Sequence, residues 1–141
     1  MNEYQILKEK QSEEFNTLPL KAAFGDEQFK RMMAEWNLST NDEDLKKIYS
    51  LGCGAYCLVT DVHLFAETSE RHEKEMKDFL STDKGLKDAF MYEFGNHECG
   101  YTYTPQDAIV ALGFTRTEVE NDKRLNKIFK EAWNEYIDKC E

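Results

Sequence analysis

Apolar residues recur at helical spacing over most of this chain and alternate only in short runs. Phe29, Met32, Met33 and Trp36 fall at i, i+3, i+4 and i+7, so the stretch after Gly25-Asp26 predicts a helix with one buried stripe, closed at Asn37. Phe65, His72, Met76, Phe79 and Leu80 share a face opposite Glu67, Glu70, Glu73, Lys74 and Lys77. That pattern predicts a helix from a cap at Thr60 or Asp61 to about Leu80, with the charges on its solvated side. After a Ser81-Thr82-Asp83 loop and cap, Leu86, Ala89, Phe90, Glu93, Phe94 and His97 keep the spacing, which puts Glu93 and His97 on the inner side of the next helix. Leu125, Ile128, Phe129, Ala132, Trp133 and Tyr136 line the longest one. It opens at Thr115-Arg116-Thr117-Glu118, a capping box, with Phe114 as a hydrophobic staple and a break near Asn121.

Weaker patterns fill the gaps. Tyr4, Ile6, Leu7 and Phe15 among charges predict a peripheral helix over 3–16, ended by Leu18-Pro19 because the residue before proline is pushed out of the α region. Thr40 or Asn41 caps a short acidic turn through Asp44. Thr104-Pro105-Gln106-Asp107 is a helix start, and that helix stops at Gly113. LKAAF (20–24), IYSLG (48–52) and AYCLV (55–59) are β-prone, the last two around a Gly52-Cys53-Gly54 turn. The expected fold is therefore α+β: a mainly helical, single compact domain over residues 1–141, with a small antiparallel sheet or hairpin at about 20–24 and 48–59. A chain of 141 residues is long enough to bury one core.

Composition narrows the class. Apolar residues make up 40% of the chain and aromatics 13%, against disorder, although 33% is charged. The apolar run from Ile48 to Phe65 is broken by polar residues and glycines, so no membrane span is expected, and the polar opening MNEYQILKEK is not a signal peptide. The chain reads as cytoplasmic, with its four cysteines reduced. A net charge of −10 repels phosphate backbones and suits basic protein partners.

Several constellations suggest chemistry. Cys53, Cys57, His97 and Cys99 have the types of a Cys3His zinc site, but the C-x3-C and H-x-C spacings depart from the usual C-x2-C, and reduced thiols with a packed histidine are the preferred reading, with no metal or other cofactor expected. Cys99 beside His97 and Asn96 offers a nucleophile, a base and an orienting amide, the basis of an alternative reading as a metal- or cysteine-dependent hydrolase. Partners so close along one turn rarely face each other, so a non-catalytic protein is expected instead. Glu93 is better explained as a buried acceptor for turn amides, Asn96 or Tyr101. Gly52-Cys53-Gly54 lacks the rest of a phosphate-binding motif. The helices joined at Gly113-Phe114 form a packing hairpin, since Arg116, Lys123, Arg124, Lys127 and Lys130 interleave with acids.

The charge pattern around the central turn is more informative. No Lys or Arg occurs from Ala89 to Thr115, whereas Glu93, Glu98 and Asp107 stand beside Tyr92, Tyr101 and Tyr103. These six form the predicted partner-binding surface, carboxylates and tyrosines suited to an Arg-rich face. The segments AFGDEQF (23–29), KIYSLGCGAY (47–56), MYEFGNHECGYT (91–102) and DAIVALGFTRTEV (107–119) resemble a family of small acidic proteins of phages and mobile elements in Firmicutes and gut bacteria, to which no reaction is assigned. Small acidic phage proteins include anti-CRISPR inhibitors that occupy basic nucleic-acid channels. The resemblance thus implies a partner: a nucleic-acid-handling bacterial defence protein, first of all a Cas-type nuclease, bound at its basic surface.

Overall fold

The computed structural model describes residues 2–140, and the chain is α+β and mainly helical with a small antiparallel sheet. It divides into two compact units. One joins the N-terminal residues up to Lys10 with Glu73 onward; the other is Gln11–His72. Buried apolar side chains correspondingly form two clusters rather than the one core expected. The division falls within helix α1 (Glu3–Asn16) and within helix α4 (Val62–Leu80).

In the Gln11–His72 unit, β1 (Lys21–Ala22), α2 (Asp26–Glu35), α3 (Asp42–Leu45), β2 (Ile48–Gly52) and β3 (Ala55–Leu58) follow in order. The sheet runs β1-β3-β2, all antiparallel, with Lys21 opposite Tyr56 and Tyr49 opposite Cys57. The register slips at Leu51, between the Ser50–Tyr56 and Gly52–Ala55 pairs. Gly52, Cys53 and Gly54 all take positive φ (91°, 53° and 79°), so the predicted turn is made by three left-handed residues in succession, two of them the residue type that adopts this at least cost. Met32 and Met33 from the predicted α2 stripe are buried with Ala23, and Phe29, Trp36, Leu38, Ile48 and Tyr56 pack around them. Asn41, one of the two candidates, caps α3 by accepting from the Asp44 amide at 2.8 Å.

In the other unit, α5 (Asp83–Asn96) and α9 (Lys123–Cys140) carry the main cluster. Phe90 and Phe94 are fully buried on α5 and meet Phe129 and Trp133 of α9, at ring separations of 5.4 Å for Phe90–Phe129 and 5.1 Å for Phe94–Trp133. Thr82 caps α5 through the Gly85 amide. The short helices α6 (Cys99–Thr102), α7 (Gln106–Ala111) and α8 (Arg116–Asn121) connect the two. The Thr115–Glu118 capping box forms with both of its hydrogen bonds, and the expected break sits at Asp122, whose extended backbone separates α8 from α9. Helix α7 starts one residue later than the sequence suggested: Pro105 is its N-cap. The helix predicted as peripheral is not so at its start, because Tyr4 is buried against Phe79 and Tyr92.

Candidate binding site

The site is a knuckle between α5 and α7, built on a buried carboxylate. Helix α5 ends at His97, whose amide closes on the Glu93 carbonyl at 3.0 Å. Glu98 then turns left-handed (φ 51°), α6 makes one turn, and Tyr103 turns left-handed again (φ 58°). Neither residue is glycine, so each conformation costs about 1 kcal/mol and persists only because the surroundings hold it. What holds it is visible. Cys99 is buried at one end of α6 and Pro105 beyond Tyr103. The Gly100 amide donates to the Tyr136 hydroxyl at 3.1 Å, and a Cβ on Gly100 would lie 2.6 Å from Cys140 Sγ. A side chain at this position would push the exposed Cys140 thiol aside. The braced turn leaves Tyr101 92% and Tyr103 68% exposed, the latter edge-on to Trp133 at 6.2 Å.

Beneath the knuckle, Glu93 is 1% exposed and saturated with donors. The Tyr4 hydroxyl (3.0 Å) and Lys8 Nζ (3.2 Å) donate to Oε1, Asn96 Nδ2 (3.4 Å) donates to Oε2, and His97 Nε2 lies 3.1 Å from Oε2. Burial pushes the carboxyl upward, but the Tyr4, Lys8 and Asn96 contacts outweigh it and hold Glu93 below the usual glutamate range. Tyr4 is pushed well up, by burial first, then by the Glu93 charge and the hydrogen bond to it. Lys8 also sits over the rings of Tyr4 and Tyr92.

This geometry sorts the six predicted contact residues. Glu98, Tyr101, Tyr103 and Asp107 are exposed on the knuckle. Glu93 is not a surface residue: it is the buried acceptor that its spacing predicts, with Asn96 among its donors, whereas Tyr101 is 92% exposed and not one of them. Tyr92 is half-buried, its ring packed on Tyr4 at 5.5 Å and beneath the Lys8 ammonium. Tyr4 and Lys8 were invisible as partners in the sequence, since they lie 89 and 85 positions from Glu93.

The metal and thiol readings gain nothing from the structure. Cys53 and Cys57 belong to one unit and His97 and Cys99 to the other, so neither unit holds more than two of the four ligands. Cys53 is exposed on its turn while Cys57, two positions into β3, is buried. Burial raises the Cys57 and Cys99 thiols, which favours the protonated form that neither attacks nor coordinates. Of the two ring nitrogens of His97, Nε2 faces Glu93.

Two depressions open on this unit. One, about 650 Å³, is lined by Gly95, Glu98, Gly100, Tyr101, Tyr136 and Cys140, next to the knuckle. The other, about 660 Å³, has a floor of Met76, Leu80, Leu86, Phe114 and Leu125. Among the described residues no helix is long and apolar enough to cross a membrane.

Residues 3–135 match a family of unknown function, DUF7659, which accounts for nearly the whole chain. No curated protein and no solved structure matches it.

Proposed function

We propose, for a chain that belongs to the DUF7659 family and takes no activity from that membership, that it is a non-catalytic binding protein. Its 98–107 knuckle docks on a basic surface of another protein. The partner class is a nucleic-acid-handling protein of bacterial defence, with a Cas-type nuclease as the first candidate, and the chain inhibits it by occupying the surface that would hold nucleic acid.

The observation that carries this reading is the pair of tyrosines, Tyr101 and Tyr103, held outward on a strained and braced turn between Glu98 and Asp107, in a segment free of Lys and Arg from 89 to 115. Tyrosine rings offer large contact area with little rotamer entropy to lose, and carboxylates beside them select cationic partners. A rigid turn adds affinity because less ordering remains to be done on binding.

Binding to purified Cas effectors, with and without guide RNA and across a salt series, tests it. The expected result is binding that weakens with added salt, competes with guide or target nucleic acid, and drops about tenfold or more in Tyr101→Ala/Tyr103→Ala. Binding indifferent to both tyrosines, or no salt-sensitive binding to any candidate, overturns it.

A further inference from the structure

The depression beside the knuckle has the chemistry of a single-residue socket. The geometry points to a site for one arginine side chain of the partner, received among Tyr101, Tyr136 and Glu98. This rests on the docking role given to the knuckle above and names what enters it.

The lining supplies two aromatic rings, one carboxylate, one sulfur and the backbone of two glycines, and no cation. No Lys or Arg among the described residues pairs with Glu98, and the nearest basic residue along α9, Lys139, is committed to Glu135 at 3.4 Å. The Glu98 carboxylate is therefore an uncompensated charge beside aromatic faces. Tyr136 is fixed there, since its hydroxyl accepts from the Gly100 amide. At Gly95, which is exposed, a Cβ would meet nothing within 4 Å, so the depression is open on this side. The left-handed turn at Glu98 is what brings its side chain to the same depression as Tyr101, three residues on.

A cation is the complement of such a site, and guanidinium fits it better than ammonium. It is planar and stacks on tyrosine faces, it is weakly hydrated and so leaves water more readily, and its paired N–H groups match a carboxylate two to two. A lysine would bring one compact, strongly hydrated charge and gain less from either ring.

Gly95 and Gly100 both line the site and give it two amide reporters. Uniformly 15N-labelled protein is titrated with N-acetyl-arginine amide, and in parallel with the citrulline and lysine counterparts. Citrulline keeps the planar shape and removes the charge; lysine keeps the charge and removes the plane. The expected result is saturable shifts of the Gly95 and Gly100 resonances with the arginine compound, binding about fivefold or more weaker with lysine, and none with citrulline. Glu98→Gln and Tyr101→Ala, checked for unchanged dispersion of the remaining spectrum, each lose the arginine response, whereas Tyr103→Ala keeps it. Equal shifts with citrulline or with lysine, an unchanged response in Glu98→Gln, or no shift at either glycine with arginine overturns the assignment. The two readings fail separately. Salt-sensitive partner binding that needs Tyr103 but gives no arginine response removes the socket and leaves the docking surface; an arginine response without any partner binding does the reverse.

Discussion

At the scale of single residues, Glu93 decides how the N-terminal helix is fastened within its unit. Two donors from α1, Tyr4 and Lys8, converge on one of its oxygens, and Asn96 and His97 serve the other. A buried carboxylate is tolerable only while it is so supplied. Glu93→Gln is expected to lower stability by about 2 kcal/mol, less than the roughly 3–5 kcal/mol of a wholly buried pair because the Lys8 side chain is 45% exposed. Tyr4→Phe removes one charge-assisted hydrogen bond and costs about 1.5 kcal/mol. Urea denaturation of the two variants measures both. The pH dependence has a definite sign. Glu93 titrates lower in the folded chain than its ordinary 4.5, so its contribution is complete above that value and is lost as pH falls through the folded one. The stability gap between wild type and Glu93→Gln should therefore close on acidification below about pH 4.5. A gap that is constant from neutral to acid pH would mean that Glu93 is not ionised in the fold.

At the scale of elements, α5 holds two glycines with opposite demands. A Cβ on Gly85 would fall 2.1 Å from the Phe79 carbonyl oxygen and 2.7 Å from Thr82 Oγ1, which closes the α5 cap. Backbone cannot step aside as a flexible side chain does, so Gly85→Ala should destabilise by about 3 kcal/mol. Gly95 is helical with nothing within 4 Å of its would-be Cβ, so Gly95→Ala should stabilise by about 1 kcal/mol. Thermal unfolding of the pair checks both signs, and a destabilised Gly95→Ala would contradict the open space at Gly95.

How far the sequence reached follows element by element. The stripes on α2, α5 and α9, the hairpin, the capping box and the stop at Gly113 could be read because each is set by neighbours a few positions apart. Helix α6 could not, since its four residues, Cys99–Thr102, carry no periodicity, and its conformation is imposed by Tyr136 and Cys140 from α9. The same long-range dependence hid the α1 donors of Glu93, Tyr4 and Lys8, and the arginine socket. Spacing brought Glu98 and Tyr101 together, but nothing local says that Tyr136 closes the other side. Helical spacing already places Glu93 inward as a buried acceptor with Asn96 beside it, as the structure has it; its second assignment, to the contact surface, follows from acidity alone and fails because α1 covers it.

At the scale of the whole molecule, the acidity is not concentrated at the knuckle. Residues Gln11–His72 hold eleven Asp and Glu against six Lys and Arg, and the rest of the chain seventeen against twelve, so each unit contributes −5 of the −10. With Glu93 buried, the knuckle itself exposes only Glu98 and Asp107. Two carboxylates do not imitate a phosphate backbone, and the division of labour this implies can be measured. The summed charge should govern how fast a basic partner arrives, and the knuckle how long it stays. Neutralising exposed acids remote in sequence from the knuckle, as in Glu27→Gln/Glu67→Gln/Glu70→Gln, should slow association about threefold at low salt and leave dissociation unchanged. Tyr101→Ala should leave association nearly unchanged and speed dissociation about tenfold. Added salt should erase the first effect and spare the second, because screening acts on long-range attraction between exposed charges and hardly on rings already in contact. Stopped-flow or surface-based kinetics with any partner that binds reads both rates directly. If the three neutralised acids accelerate dissociation instead, the contact surface extends well beyond residues 98–107, and the partner grips this chain by its charged faces rather than by its tyrosines.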